Sequence, residues 1–453
     1  MTTIRPELRF ATPRLADALA RLADFIRHAG GQLFVVGGSA RDAARGEAVT
    51  ELDLEVFGLG DAALLEALAR GFDPQRVGQH FPVIRLRGLP VDIGCSEESA
   101  GDLAEAALRR DFTCNALYLD PETGELHDPL GGGADLDAGI LRHCGPRFAE
   151  DPLRLLRGMQ LAARFDLRAA PETLAFCREL SLKGIAPERL FEEWRKFLVQ
   201  GRAPSAGLRF LQDCDSLSFF PELAALVGCA QDPEFHPEGD VWVHTLHALD
   251  AFANARTGDA REDLVVGLAV LGHDLGKPAT SALKEGDTSG TKVRSPGHAQ
   301  KSVELMRGFL GRMTEEQKLI DEVALLIESH LAPAQLHRGS AGDAAVRRLA
   351  RKVRRIDRLV RVSLADHAGR PPLVPDAYAV GGWLLERAEA LAVLDSAPDS
   401  LVKGRDLLAA GLGLREGPEL GRVLDILYEA QLDGRITSLV EGIELARETL
   451  REE

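Results

Sequence analysis

Glu51, Asp53 and Glu55 stand at every second position of the stretch TELDLEVFG. On a strand that period turns all three carboxylates to one face. There they repel unless cations lie among them, and oxygen donors suit Mg²⁺. A solvated strand face with excess acid is the other reading. Shortly before comes Gly37-Gly38-Ser39-Ala40-Arg41-Asp42, after an apolar run. Adjacent glycines at a strand-to-helix turn let backbone N–H groups approach a phosphate, and the helix N-terminus favours an anion. Arg41 could add a positive charge. Arg109-Arg110-Asp111-Phe112-Thr113-Cys114-Asn115 then offers paired guanidiniums for phosphate oxygens. Asp111 and Asn115, one helical turn apart, could bond a sugar hydroxyl. In Glu150-Asp151-Pro152-Leu153-Arg154-Leu155-Leu156-Arg157, Asp151 and Arg154 share a helix face. Together they offer an acceptor and a planar donor fork, enough to read the edge of a base. An ordinary helix start also carries proline and acids.

A second set lies further along: His244, His273-Asp274, His298, His330 and Asp366. Imidazole with carboxylate suits transition metals. A lone histidine on an apolar helix is usually a core residue, but an ordered set of this kind is far harder to reach by chance.

The elements that must position these groups change in character along the chain. TPRLADALARLADFIRHA (residues 12–29) is an amphipathic helix by its spacing. GQLFVVGGSARDAARG reads as strand, turn and helix, and Asp53–Phe57 and Pro82–Ile93 read as strands. Residues 120–139 are rich in turn formers and read as a loop. Beyond Phe148 helical patterns dominate, with linker-like breaks at 231–240 and 369–378. The expected class is α+β, a small sheet domain followed by mostly helical segments. The expected divisions are 1–145, 146–232, 233–372 and 373–453.

With 453 residues and 45% hydrophobic content the chain can bury several cores. No run approaches a membrane span and the N-terminus lacks the apolar run of a signal peptide, so the cytoplasm is the expected place. Six scattered cysteines without a CxxC pair read as reduced thiols. A net charge of -16 weighs mildly against a polyanionic partner. Binding depends on local patches, however. The densest is RRLARKVRRIDRLVR, where Arg347, Arg351, Arg354 and Arg358 are candidate RNA contacts. The alternative is a basic helix face that neutralises acids within the fold.

Taken in order, GGSARD, the acidic strand, RRDFTCNA, DPLGGGADL, EDPLRLLR and ERLFEEWRK resemble the bacterial tRNA nucleotidyltransferase and poly(A) polymerase family of the polymerase-beta-like superfamily. The likeness covers about residues 30–230. It implies that Glu51 and Asp53 hold two Mg²⁺ ions, with Asp53 the better candidate to bridge them. It further implies that Gly38 and Arg41 cradle a triphosphate, and that Arg109, Arg110 and Asp111 hold triphosphate and ribose. Asp151 and Arg154 would select C or A, with Arg157 a further ATP contact and Glu188, Arg189 and Glu193 on a supporting helix. The first metal carboxylate is usually Asp in that family; here it is Glu51. Glu55 is a spare acid, and Asp92 could be a third.

Residues of about 240–370 resemble the HD phosphohydrolase domain. That likeness implies a metal set of His244, His273, Asp274 and Asp366, extended by His298 and His330 in two-metal variants. The metal would be a divalent transition ion such as Ni²⁺ or Mn²⁺, or Mg²⁺. Both halves together resemble CCA-adding enzymes of bacteria with a C-terminal HD domain. The implied activity is addition of CCA to tRNA from CTP and ATP, with phosphatase or 2′,3′-cyclic phosphodiesterase work at the HD site. Poly(A) polymerase, an A-only or CC-only enzyme, and an HD phosphohydrolase with an RNA-binding front half are the rival readings.

Overall fold

The computed structural model describes residues 6–77, 83–96, 102–283, 292–371 and 378–451. The chain divides into two compact units: residues 1–197 with 206–216, and residues 198–205 with 217–453.

The first unit opens with the expected helix, Pro13–His28. Leu15, Leu19, Leu22 and Ile26 recur at helical spacing and are buried. Next comes a mixed sheet of β1 (Gln32–Val36), β2 (Leu52–Phe57), β3 (Pro74–Val77), β4 (Val83–Leu86), β5 (Val91–Ser96), β6 (Tyr118–Leu119) and β7 (Leu126–His127), in the order β3-β4-β5-β2-β1-β6-β7. β2 lies between β1, its antiparallel neighbour, and β5, its parallel one. Phe34, Phe57 and Tyr118 pack edge-to-face at 5.7–6.3 Å.

Two expectations change here. The single strand expected over Pro82–Ile93 is two strands joined at Gly88, where φ is +76°; Pro82 lies outside the described residues. Gly88 and Pro90 suit a turn and would interrupt a ladder. The loop expected over 120–139 contains β7 and a short helix, Gly132–Asp137. Helices Arg154–Phe165, Pro187–Gln200 and Pro204–Asp213 follow.

The second unit centres on the helix Ala260–Gly272, buried without a break from Asp263 to Gly272. A helix apolar all round must be surrounded. Val241–Asn254, Gln317–Ser329 and Ile356–Ala368 pack on it. Further on, Gly404–Ala409, Pro418–Leu432 and Leu439–Thr449 enclose a core of Val402, Leu407, Val423, Leu427 and Ala446. The break expected at 369–378 falls mostly outside the described residues.

The basic patch is not one helix but two, Asp343–Val353 and Ile356–Ala368, and several of its arginines have partners within the unit. Arg351 pairs with Glu429 at 2.5 Å and lies over the Tyr428 ring. Arg347 donates to the Leu432 carbonyl. Arg358 is buried against Glu262, at 2.7 Å from Nε. Arg354 is exposed, in the left-handed region at φ +60° just past the first helix. Arg351 and Arg358 thus neutralise acids of the same unit, while Arg347 is held by a backbone carbonyl.

Candidate active sites

The first site is a cleft of about 590 Å³ in the front unit, lined by the edge of β2, the start of β5 and the first turns of two helices. Gly37 has φ +60°, and a Cβ on Gly38 would come 3.2 Å from Asp53 Oδ2. Gly37 thus favours glycine by its backbone, a side chain at Gly38 would press on Asp53, and the Gly38 N–H donates to Asp53 at 3.1 Å. Ser39 ties the turn to the strand, its hydroxyl donating to the Glu51 carbonyl and accepting from the Asp53 N–H, both at 2.8 Å.

Asp53 faces Asp92 across the β2–β5 register, and both line the cleft with Glu55. Burial pushes the Asp53 carboxyl above its ordinary range and Asp92 adds to this, against the pull of Arg110, the Gly38 amide and Arg41. A half-buried carboxylate facing a second acid is a place where a cation lowers the energy. Glu51 is exposed just before β2 and is not among the residues lining this cleft. Glu55, the spare acid, pairs with Arg110, and Asp92 is held by Arg85 at 2.9 and 3.0 Å.

Arg41 departs from expectation. It is 2% exposed, bonded to Asp42 and to Asn115, and packed over the Phe165 ring at 4.4 Å. It is a buttress below the glycine turn rather than an arm into the cleft.

Arg109, Arg110, Asp111 and Asn115 line the cleft as expected. Asp111 and Asn115 are bonded to each other at 3.0 Å. Asp111 also accepts from the Phe112 N–H and from Arg157 at 2.7 Å. Burial alone would raise its carboxyl, but Arg157, Asn115 and the amide outweigh it and hold it at about 2. Asp151, Arg154 and Arg157 complete the wall. Arg154 donates to the Arg147 and Arg109 carbonyls, which fixes its plane, while Asp151 pairs with Arg189 at 2.7 Å. Of the supporting helix, Arg189 thus reaches the cleft, Glu193 is buried and Glu188 is exposed.

The second site is a pocket of about 260 Å³ in the other unit, lined by Asp274, His298, His330 and Asp366 among others. His244, His273, Asp274, His298, His330 and Asp366 all meet here. His244 Nε2 lies 3.3 Å from His273 Nε2 and 3.2 Å from Asp366 Oδ1. His298 Nε2 lies 3.3 Å from His330 Nε2. Asp274 sits between the pairs, Oδ2 at 3.2 Å from His273 and Oδ1 at 3.5 Å from His298. His244, His273 and Asp366 form one group that could hold an ion, and Asp274, His298 and His330 another. Burial would lower the His244 pKa, but Asp366 and Glu238 carry it up to about 9, whereas burial and His273 bring His330 down to about 4. Converging Nε2 atoms and carboxylates in a buried cup fit one or two divalent ions. A Cβ on Gly276 would meet the His298 carbonyl at 2.2 Å, so glycine there lets the His298–Gly311 helix approach Asp274.

Sequence reading missed three groups here. Lys277 is bonded to Asp274 at 2.7 Å and to Gln231 at 2.6 Å. His236 and Glu238 stand in the stretch expected to be a linker, yet His236 lines the pocket and Glu238 touches His244. The signal available was His-Pro-Glu shortly before His244.

Three family models match the chain: the Poly A polymerase head domain over residues 73–142, the probable RNA and SrmB-binding site of polymerase A over 166–226, and the HD domain over 241–366. The fold and the two sites thus define a polymerase head joined to an HD unit. The multifunctional CCA protein of Xanthomonas oryzae pv. oryzae is 35% identical over 424 residues, covering 87% of this chain and 96% of that one. The chain belongs to the multifunctional CCA protein family. Its fold is that of the Bacillus stearothermophilus CCA-adding enzyme in complex with CTP (TM-score 0.64, 19% identity, 98% and 100% of the chains). It is also that of the Thermotoga maritima CCA-adding enzyme complexed with tRNA (TM-score 0.58, 20% identity, 97% and 96%).

Proposed function

We propose that this chain adds CCA to the 3′ end of tRNA from CTP and ATP in the front cleft. The observation that carries the reading is the cleft itself. It gathers Asp53 and the Gly37-Gly38 turn, the guanidiniums of Arg109, Arg110 and Arg157, and the Asp151–Arg154 pair around one space. Those groups could serve a cation, a triphosphate and a base edge in turn. Asp53 would be the central Mg²⁺ ligand and Glu51, exposed just before β2, the second. Bound Mg²⁺ would supply charge to the triphosphate and acidify the attacking hydroxyl. The chain's own groups do the positioning. Gly38 leaves room for a phosphate at the helix start, Arg109 and Arg110 offer donors to its oxygens, and Asp111, ionised and fixed by Arg157, accepts from a sugar hydroxyl. Arg154 offers its remaining donor and Asp151 its acceptor to the base.

Kinship with multifunctional CCA proteins along most of the chain favours this over a poly(A) polymerase. Incubating a tRNA transcript that lacks CCA with CTP and ATP, then sequencing the 3′ ends, tests it. Complete CCA ends are expected; A-only or CC-only ends would transfer the protein to a partial activity.

The histidine pocket supports a second proposal, hydrolysis of a terminal phosphate or a 2′,3′-cyclic phosphate. His244, His273, Asp274 and Asp366 would hold a divalent ion there, with His298 and His330 available for another. Lys277, at the pocket wall beside Asp274, offers a donor to a phosphate oxygen.

A further inference from the structure

The four histidines of the pocket are not held alike. His273, His298 and His330 each pass Nδ1 to the carbonyl three residues earlier, Val270, Ser295 and Ile327, at 2.7–2.9 Å. For His244 that carbonyl belongs to Val241, and the Thr245 hydroxyl already donates to it at 2.8 Å. His244 Nδ1 instead meets the Glu238 carboxylate, Oε1 at 2.8 Å. The same oxygen lies 2.8 Å from His236 Nδ1. The Glu238 side chain is fully buried, and its second oxygen has no hydrogen-bond partner among the described residues. Next to it, Asp240 caps the Val241–Asn254 helix through the Val243 N–H and accepts from the Gly228 N–H, so the loop is pinned where it delivers Glu238.

We propose that Glu238 is a positioning residue of the HD site, fixing His244 so that Nε2 faces the cation and making it the strongest nitrogen donor of the set. The proposal rests on the reading of this pocket as a metal site. An ionised carboxylate only accepts, so it places the proton on Nδ1 and leaves the Nε2 lone pair for the ion. A carboxylate draws on that proton more strongly than a carbonyl does, which raises the basicity of the far nitrogen. The three carbonyl-held histidines lack this, so His244 anchors the ion and the others complete its shell. Glu238 also turns His236 by the same oxygen, setting its opposite ring edge towards the pocket that His236 lines.

Three groups here, His236, Glu238 and His244, also stand close enough to ligate an ion by themselves. A neutral His244 has one lone pair, however, and its Nε2 already points at His273 and Asp366. Support of the first set, not a separate ion site, accounts for both nitrogens.

The test uses the full chain and Co²⁺ alone as probe, with affinity from equilibrium dialysis and ligand field from the visible spectrum. Glu238→Gln keeps size and an acceptor oxygen but removes the charge. It should weaken Co²⁺ binding by about 10–100-fold and shift the spectrum, with an unchanged melting temperature before metal is added. Glu238→Asp should bind at an intermediate level. Glu234→Gln, an exposed carboxylate of the same loop outside the pocket, should bind as the wild type does. Wild-type affinity and spectrum in a folded Glu238→Gln would overturn the proposal. Should that variant fail to fold, wild-type affinity in Glu238→Asp would do the same. A loss in Glu234→Gln equal to that in Glu238→Gln would also overturn it, by assigning the effect to the charge of the loop. His244→Ala separates the two readings. If it binds Co²⁺ as tightly as the wild type, the group of His244, His273 and Asp366 holds no metal and the underlying reading of that group falls. If it alone loses Co²⁺, only the role of Glu238 falls.

Discussion

At the scale of single residues, the front cleft sets its carboxylates to different tasks by their surroundings. Asp53, half-buried opposite Asp92, is raised in pKa and open to a cation. Asp53→Ala should abolish nucleotide incorporation while the melting temperature stays within a few degrees; near wild-type incorporation would remove Asp53 from the centre of the chemistry. Asp111 is the opposite case, held at about 2 against an ordinary 3.8. Its folded pKa is depressed, so its stabilisation is present above pH 3.8 and is lost as pH falls from there through about 2. Arg157→Gln should leave a buried carboxylate without its ion-pair partner, at a cost of about 3 kcal/mol near neutral pH. The Asn115 and Phe112 bonds survive, which keeps the cost at the low end. The gap between variant and wild type should close as the pH approaches 2, since a protonated Asp111 needs no partner. A gap that stays constant with pH in chemical denaturation would point to lost packing instead. Arg154→Ala is read differently, by competition among nucleotides. Losing a fixed planar donor should cost about 1–3 kcal/mol of discrimination, seen as UTP or GTP incorporation or as unequal loss of CTP and ATP use. Unchanged selectivity would make it a helix buttress.

Between elements, what matters is which backbone comes near which. Gly276 is the clearest instance in the second unit, because the His298 carbonyl and the Ser302 N–H, 2.2 and 2.7 Å from any Cβ there, are backbone and cannot swing aside. Gly276→Ala should push the His298–Gly311 helix from Asp274, cost about 1–3 kcal/mol, and impair metal-dependent hydrolysis. His273→Ala and Asp274→Ala should remove that hydrolysis outright. In all three CCA addition should persist, since Asp53 belongs to the other compact unit; loss of both activities in a folded variant would show that the two sites are not separable. Much of this was legible beforehand, since glycine pairs, alternating acids and an ordered His/Asp set are short-range patterns. Helix Pro13–His28 was equally plain from its apolar spacing. What stayed hidden depends on long-range partners. Arg41 carries the same charge whether it reaches a phosphate or Asn115, and only the packing of Phe165 and Asn115 around it decides. Residues 231–240 have the composition of a linker because they form turns, yet they fold back onto the histidines. The β4–β5 hairpin was read as one strand because apolar residues continue on both sides of Gly88.

At the scale of the whole molecule the question is how a chain of net charge -16 holds an RNA. Long-range repulsion has to be offset by local positive surface. In the densest basic stretch Arg351 and Arg358 are engaged by Glu429 and Glu262. Replacing Arg351 and Arg358 with Gln should therefore lower stability, Arg358 most because it is buried, and leave the salt dependence of tRNA binding as it was. The front unit offers another surface. Arg168, Lys183 and Arg209 are exposed, have no carboxylate partner among the described residues, and fall within residues 166–226, where the model for a probable RNA-binding site matches. A phosphate contact releases condensed counterions, so each one lost should flatten the slope of log K against log salt by roughly 0.7–0.9. Changing all three to Gln should weaken tRNA binding at low salt and flatten that slope by up to about 2.7. The two surfaces are then told apart by one titration series: a flattened slope in the front-unit variant with an unchanged slope in Arg351→Gln, Arg358→Gln locates the RNA path, and the reverse result would return it to the second unit.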